Sequence, residues 1–158
     1  MTMVLTWLHI LAAVSWIGGM IFLSLVVVPV IRRPPLAQQR AVLFPIVARR
    51  FRLVAWGAML LLLATGPILA SARGISLINP TTWPSIFAIK LTLVGLLFVL
   101  TAAHDLALGP RVAEMMKRPE QERSASDLLL LRWSPWVARS SLLLALAVLF
   151  SAVSLARS

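Results

Sequence analysis

The chain has no cysteine, little histidine and little acid. Its 158 residues include no Cys, two His and five Asp or Glu. The absence of cysteine excludes disulfides, thiolate metal sites, iron–sulfur clusters and cysteine nucleophiles. Because His9 and His104 are the two histidines, any metal or haem site is restricted to at most two imidazoles per chain.

Charged residues are also scarce. They make up 13% of the chain, whereas 60% of the residues are hydrophobic and the mean hydropathy is +0.94. In an ordinary soluble domain about a quarter of the residues are charged. A helix needs about 20 apolar residues to cross a bilayer, and this chain contains long uncharged stretches of that length. The sequence therefore predicts an all-α integral membrane protein in contact with the lipid bilayer.

Four apolar stretches predict a four-helix transmembrane bundle within a single membrane domain of residues 1–158. The predicted spans cover approximately residues 4–30, 52–72, 85–107 and 134–156. The first span has no basic n-region and is too long for the apolar core of a signal peptide. We therefore predict that it is retained.

Most Lys and Arg residues lie in two connections, between the first and second spans and between the third and fourth. These residues are Arg32, Arg33, Arg40, Arg49, Arg50, Arg52, Arg111, Lys117, Arg118, Arg123, Arg132 and Arg139. The opposite side has only Arg73 and Arg157. The positive-inside rule then predicts a multi-pass protein of the inner (plasma) membrane with both termini outside. This topology accounts for the net charge of +10, and nucleic acid is not predicted as a partner.

A few polar residues lie inside the predicted spans, where ionisable groups are costly and usually face protein or water. At a rise of 1.5 Å per residue, His9 and Lys90 each lie roughly 8 Å from the outer ends of their helices. His104 lies about 21 Å deeper than Lys90, so the two histidines are not predicted to ligate one haem within a chain. Structural roles remain open, because Lys90 can extend to the headgroups and His9 can hydrogen-bond across helices.

Successive residues of a helix lie 100° apart around its axis. With this spacing, a narrow polar stripe runs along one side of the third predicted helix. Its members are Lys90, Leu97, Thr101, His104 and, at the margin, Asp105. Such a stripe on an apolar helix is predicted to point inward. For His104 and Asp105, next to the basic connection, a structural hydrogen bond and an ion pair with Arg139 or Arg111 is the favoured interpretation.

On the first predicted helix, His9 and Trp16 share a face, and Gly18 and Gly19 allow close helix approach. A histidine with small residues one turn away and a tryptophan two turns away predicts a pocket for a planar group. We predict His9 as a metal ligand in the outer half of the bundle. The predicted cofactor-binding residues are His9, Lys90, Trp16 and His104.

Several short motifs carry a family resemblance. They are His9 with Trp16-Ile17-Gly18-Gly19, Arg50-Phe51, Thr65-Gly66, Lys90-Leu91, and His104-Asp105 followed by Gly109-Pro110-Arg111. With these motifs the chain resembles, over nearly its whole length, the CopD family of small integral membrane proteins, named for copper resistance protein D. The resemblance implies a four-helix membrane fold and a link to copper.

The chain also has a histidine on its first helix and a lysine on its third. In this it is similar to the bacterial membrane protoporphyrinogen oxidase of the HemJ type. That resemblance implies that His9 and Lys90 hold haem b, and it leaves an oxidoreductase activity of this type open. The chain departs from that enzyme after Gly19, where Phe22-Leu23-Ser24-Leu25 replaces a Tyr-Leu-Pro-Arg run.

Three functions therefore stand as expectations. The first is a redox or electron-transfer component in which neutral His9 ligates haem iron and Lys90 pairs with a propionate or coordinates the iron. The second is copper transport or copper resistance, although Cu(I) prefers sulfur ligands and the chain supplies only methionine sulfur. The third is an accessory subunit of a larger membrane complex, and a homodimer is also open.

Overall fold

The computed structural model describes residues 2–115, 120–122 and 124–157. Across these residues the regular elements are all helical, which confirms the predicted all-α class. Four helices in this part of the chain are long and apolar enough to span a membrane: Thr2–Ile31, Val42–Ala72, Ser85–Val112 and Ala125–Ala156. They correspond to the four predicted spans and support the four-helix membrane bundle.

The chain forms two compact units, Met1–Ser85 and Ile86–Ser158. In the first unit, α1 (Thr2–Phe22) runs through a π-helical turn (Leu23–Val27) into the short α2 (Val28–Ile31). A 3-10 turn (Leu36–Gln39) then leads into α3 (Arg40–Ala72), and a second 3-10 turn (Pro80–Thr82) precedes the next helix. The first unit is thus built from two long helices joined by a short connection.

The second unit contains the other two long helices. Its first helix comprises α4 (Ser85–Ala102), a π-helical segment (Ala103–Leu108) and α5 (Gly109–Met115). After a 3-10 turn (Glu120–Glu122), α6 (Ala125–Arg157) forms the last helix. Buried hydroxyls on α6 bond to the preceding turn: Ser141 Oγ donates to the Val137 carbonyl at 3.0 Å and Ser151 Oγ to the Val148 carbonyl at 2.8 Å. Such bonds satisfy polar side chains where water is absent.

Two of the helices begin well before the predicted spans. The second span was predicted from residue 52, but α3 begins at Arg40, and the fourth was predicted from residue 134, but α6 begins at Ala125. The predictions counted only the uncharged core of each helix. Helical structure continues past the arginines because their long side chains can extend to the membrane surface while the backbone stays helical.

Local signals explain where two of the helices end or begin. Gly74, with φ of +76°, follows the C-cap Arg73 of α3 in the left-handed conformation that glycine adopts without strain. The amides of Gly74 and Ile75 donate to the carbonyls of Ser71 and Ala70, which forms a Schellman motif. At the start of α6, the side chains of Ser124 and Asp127 each accept a hydrogen bond from the other's backbone amide, as in a capping box.

Small residues dominate the core between α1 and α3. Ala12 on α1 and Ala55 and Ala58 on α3 are buried, together with the larger Met59. Without a hydrophobic driving force between helices in lipid, close backbone approach through small residues is the main route to tight packing. This interface therefore determines how side chains of α1 meet those of α3.

Candidate functional site

His9 lies on the face of α1 that contacts α3. Its Nδ1 atom is 2.7 Å from the Thr65 hydroxyl oxygen on α3. The ring also lies close to Gly66, since a Cβ atom built there would be 3.7 Å from His9 Cε1. The half-buried imidazole is thus held against one turn of α3 by a hydrogen bond and lies beside Gly66.

The hydrogen-bond chain determines the tautomer of His9. Thr65 Oγ1 is 2.6 Å from the backbone carbonyl of Leu61 and donates its proton to that oxygen. A hydroxyl has one proton, so the Thr65 oxygen must accept the bond from His9, and Nδ1 must carry the hydrogen. In neutral imidazole this leaves the lone pair on Nε2.

This arrangement matches the environment of metal-ligating histidines. Such residues almost always donate their second ring N–H to a polar group, which sets the ring orientation and raises the basicity of the ligating nitrogen. Here the Thr65 hydroxyl is that group, and it is itself fixed by the Leu61 carbonyl. His9 and Thr65 thus share with such sites an imidazole whose Nδ1–H is held by a fixed oxygen.

A second contact between α1 and α3 lies almost three turns further along α1. A Cβ atom built on Gly19 would collide with the ring of Phe51. Because residue 9 faces residue 65 and residue 19 faces residue 51, the two helices are antiparallel. The motifs around His9, Gly19, Phe51 and Thr65 therefore all contribute to one helix–helix interface.

Trp16 belongs to the core of this interface. Its side chain is 3% exposed, and its neighbours Ala12 and Ile17 on α1 are buried as well. Seven residues separate Trp16 from His9, which places them on the same face about 10 Å apart along the helix. Trp16 thus adjoins the His9 site along α1 and packs in the interior of the first unit.

The remaining predicted residues lie in the second unit. Lys90 is half-buried on α4, and His104 lies in the π-helical segment that follows. Fourteen residues separate them, about 21 Å along a helix, so these two side chains do not form one site within this unit.

Asp105 lies next to His104 in sequence and in space. His104 Nδ1 is 3.2 Å from Asp105 Oδ1, and the side chains are 34% and 15% exposed, respectively. Leu97 and Thr101 are buried, as the polar stripe predicts, but Asp105 is more buried than His104. The reason is the π-helical turn that begins at Ala103: its wider turns advance each residue by less than 100°, which brings Asp105 inward.

Among the described residues, no group of three or more His, Asp or Glu side chains is arranged to hold a metal ion. His9 is a single imidazole whose orientation is held by Thr65. Such a donor suits a group that brings most of its own ligands, such as haem, or an ion held only in passing.

The sequence pattern singled out His9 as a candidate but gave no role to the residues that lie against it on α3. Thr65 and Gly66 were noted only as part of a motif, with no role toward His9. Their role depends on the register of α1 against α3, which the apolar pattern of the two helices does not specify. The signal available in the sequence was a threonine, Thr65, within the apolar part of the second predicted span.

Comparison with known proteins identifies the family. The chain matches the family model of copper resistance protein D over residues 45–155. It belongs to the CopD family. The family match includes Thr65, Lys90 and His104 and begins beyond the helix that carries His9.

One relative of this CopD protein is an uncharacterized protein of Aquifex aeolicus (strain VF5). It is 30% identical over 150 residues, which cover 92% of this chain and 89% of that protein. No solved structure matches the chain. The resemblance to the CopD family is thus confirmed, and the similarity to the protoporphyrinogen oxidase stays a prediction.

Proposed function

We propose that this CopD protein binds haem b through His9 in the outer half of an inner-membrane bundle and serves as a redox or electron-transfer component. The hydrogen-bond chain from His9 through Thr65 to the Leu61 carbonyl supports this proposal most strongly. With the hydrogen on Nδ1, neutral His9 has its lone pair on Nε2, and a neutral imidazole is the form in which histidine binds haem iron. The positive-inside rule, applied to the basic connections, supports an outer position for His9.

The donor set fits haem better than a closed metal site. The porphyrin supplies four ligands, so the protein needs to add only axial ones, and a single oriented imidazole is sufficient. Bound haem would supply one-electron chemistry. The chain's own residues bind and orient it: His9 as a ligand, Thr65 as the acceptor that holds the imidazole, and Lys90 as the proposed partner of a propionate.

An absorption spectrum of detergent-purified protein tests the proposal. The wild type is expected to show a Soret band and extractable haem b, and His9→Ala is expected to lose both. Lys90→Ala is expected to shift the spectrum or reduce haem content. Val14→Ala, an exposed position on the same helix, controls for yield and folding. A wild-type protein without a Soret band, or an unchanged spectrum in His9→Ala, contradicts the proposal.

Copper handling is the second candidate, and the family match favours it. An imidazole nitrogen is an acceptable copper ligand. Because the described residues form no cluster of three such ligands, copper would be a passing cargo rather than a resident ion. Copper found in purified protein without a Soret band, with copper tolerance of cells that depends on His9, would favour this function over haem binding.

A further inference from the structure

An apolar groove of about 460 Å³ lies in the first unit, near the end of α1 that leads into the connection to α3. Its wall on the first helix includes Gly19 of α1 and Leu23 of the π-helical turn, and its wall on α3 includes Phe51 and Val54. The volume falls within the roughly 300–1,000 Å³ typical of small-molecule sites. Apart from one guanidinium group, the side chains that line the groove are hydrocarbon.

Two backbone features shape this groove. Gly19 has no Cβ, which allows the Phe51 ring to lie directly against α1. Leu23 begins the π-helical turn, where the backbone is wider than in an α-helix. The groove therefore lies where α1 changes from α-helical to π-helical geometry.

The one charged side chain among the groove's lining residues is that of Arg50. Three residues further on, at Leu53, begins the uncharged stretch of α3 that ends before Arg73. Arg50 is thus expected at the level of the lipid headgroups, while Leu53 and Val54 lead toward the hydrocarbon. A ligand that occupied the groove would have its apolar part in the hydrocarbon and its polar part at Arg50.

The charge of the first unit specifies the sign of that polar part. Residues 1–85 contain no Asp or Glu and seven arginines: Arg32, Arg33, Arg40, Arg49, Arg50, Arg52 and Arg73. The unit therefore has no carboxylate of its own near the groove. A guanidinium group binds phosphate through two parallel hydrogen bonds, which makes arginine well suited to phosphate recognition.

We propose that this groove binds one anionic phospholipid, with its phosphate at Arg50 and an acyl chain along Phe51 and Val54. Basic pockets between transmembrane helices are a recurrent site for anionic headgroups. The site is separate from His9, which contacts α3 about four turns away at Thr65. The proposal is independent of haem or copper binding.

Lipid retention by the purified, full-length protein tests this site. Protein is incubated in detergent with equal amounts of dioleoyl phosphatidylglycerol and dioleoyl phosphatidylcholine, and the lipid that stays bound is measured by mass spectrometry. The wild type is expected to retain more phosphatidylglycerol than phosphatidylcholine. Arg50→Gln is expected to reduce that retention about fivefold, the effect of one basic residue at a membrane surface.

Arg49→Gln is the matched control for charge. Arg49 is the preceding residue of α3, is also exposed and does not line the groove. A specific site requires Arg49→Gln to keep the preference that Arg50→Gln loses. Equal loss in both variants would show attraction to a basic surface only and would overturn the proposal, as would no loss in either.

A second pair of variants tests the acyl part of the site. Val54→Trp places a large ring in the groove at a position that is 53% exposed, and Leu60→Trp does the same elsewhere on α3 at a position that is 62% exposed. Val54→Trp is expected to lower phosphatidylglycerol retention and Leu60→Trp to leave it unchanged. Equal retention in the two variants contradicts the groove as the binding site. The haem and copper content of all variants is expected to match the wild type, which separates this test from that of the proposed function.

Discussion

At the scale of single residues, the central feature is the directed hydrogen-bond chain from His9 through Thr65 to the Leu61 carbonyl. In the low dielectric of a membrane protein, an N–H group without an acceptor is costly, so the chain strongly favours one tautomer. The proposed ligating role of His9 depends on that tautomer. Under the proposed function, Thr65 would therefore influence a bound metal or haem without contacting it.

Replacing Thr65 isolates this effect. Thr65→Val keeps the shape of the side chain but removes the oxygen that accepts from His9 Nδ1, so the imidazole loses its fixed tautomer and orientation. Loss of such a partner typically costs 10–100-fold in metal affinity, and we expect a decrease of about that size in affinity for haem or copper. Titration of the purified apoprotein with haem or copper measures it.

Thr65→Ser provides the control, because it retains the hydroxyl. We expect its affinity to stay close to that of the wild type. If Thr65→Val bound haem or copper as tightly as Thr65→Ser, the hydrogen bond would have no part in ligation. The thermal stability of both variants, measured in parallel, separates loss of binding from loss of fold.

The residue scale also shows what sequence reasoning can predict. His9, Lys90 and His104 stand out because polar groups are rare in apolar spans. The partner of His9 could not be identified in the same way, because a threonine fits into any helix in which a backbone carbonyl accepts its hydroxyl hydrogen bond. Thr65 became significant only when the register of α1 and α3 placed it 2.7 Å from the imidazole.

At the scale of elements, the antiparallel pair α1 and α3 organises the first unit. Two neighbouring glycines of α1 have different surroundings. A Cβ atom on Gly18 would meet nothing within 4 Å, whereas one on Gly19 would collide with the Phe51 ring. The general expectation that both glycines allow close helix approach is therefore met by Gly19 alone.

This difference predicts opposite effects for the same substitution. Gly18→Ala is expected to be neutral or to stabilise by up to about 1 kcal/mol, because alanine has the higher helix propensity. Gly19→Ala gains the same propensity but forces Phe51 out of place, at a cost of about 1–3 kcal/mol. Thermal unfolding of the two variants in one detergent measures the contrast. Equal stability of the two would contradict the packing of Phe51 on Gly19.

Helix number and type followed from the sequence, but helix extent did not. Uncharged stretches of sufficient length predicted all four spans. The starts of α3 and α6 lie 12 and 9 residues, respectively, before the predicted limits, because arginines that end an apolar stretch do not end a helix. The π-helical turns at Leu23–Val27 and Ala103–Leu108 also left no signal in the apolar pattern.

At the scale of the whole molecule, the distribution of charge carries the proposed orientation. The connection between α2 and α3 and the residues between α5 and α6 are rich in arginine and lysine, whereas Arg73 is the one basic residue between α3 and α4. The positive-inside rule then predicts an outer location for the connection between α3 and α4. That orientation also determines the side of the membrane on which His9 lies.

The absence of cysteine makes this orientation directly measurable. Single cysteines are introduced as Ile78→Cys, at a position 95% exposed between α3 and α4, and as Gln38→Cys, at an exposed position before α3. A membrane-impermeant maleimide added to intact cells is expected to label Ile78→Cys alone. Gln38→Cys is expected to react only after permeabilisation. The reverse labelling pattern would invert the proposed topology.

The π-helical segment Ala103–Leu108 also affects how the chain tolerates changes in length. A π-helical turn closes hydrogen bonds between residues i and i+5, so it holds one residue more than an α-helical turn. Deleting a single residue there would allow the segment to relax to α-helix and would leave α4 unbroken. Because the wider π-helical segment covers about the same arc with one residue more, the side chains of α5, including Arg111 and Glu114, would keep their direction around the helix axis. The segment can thus absorb a change of one residue in chain length without reorienting the helix that follows it.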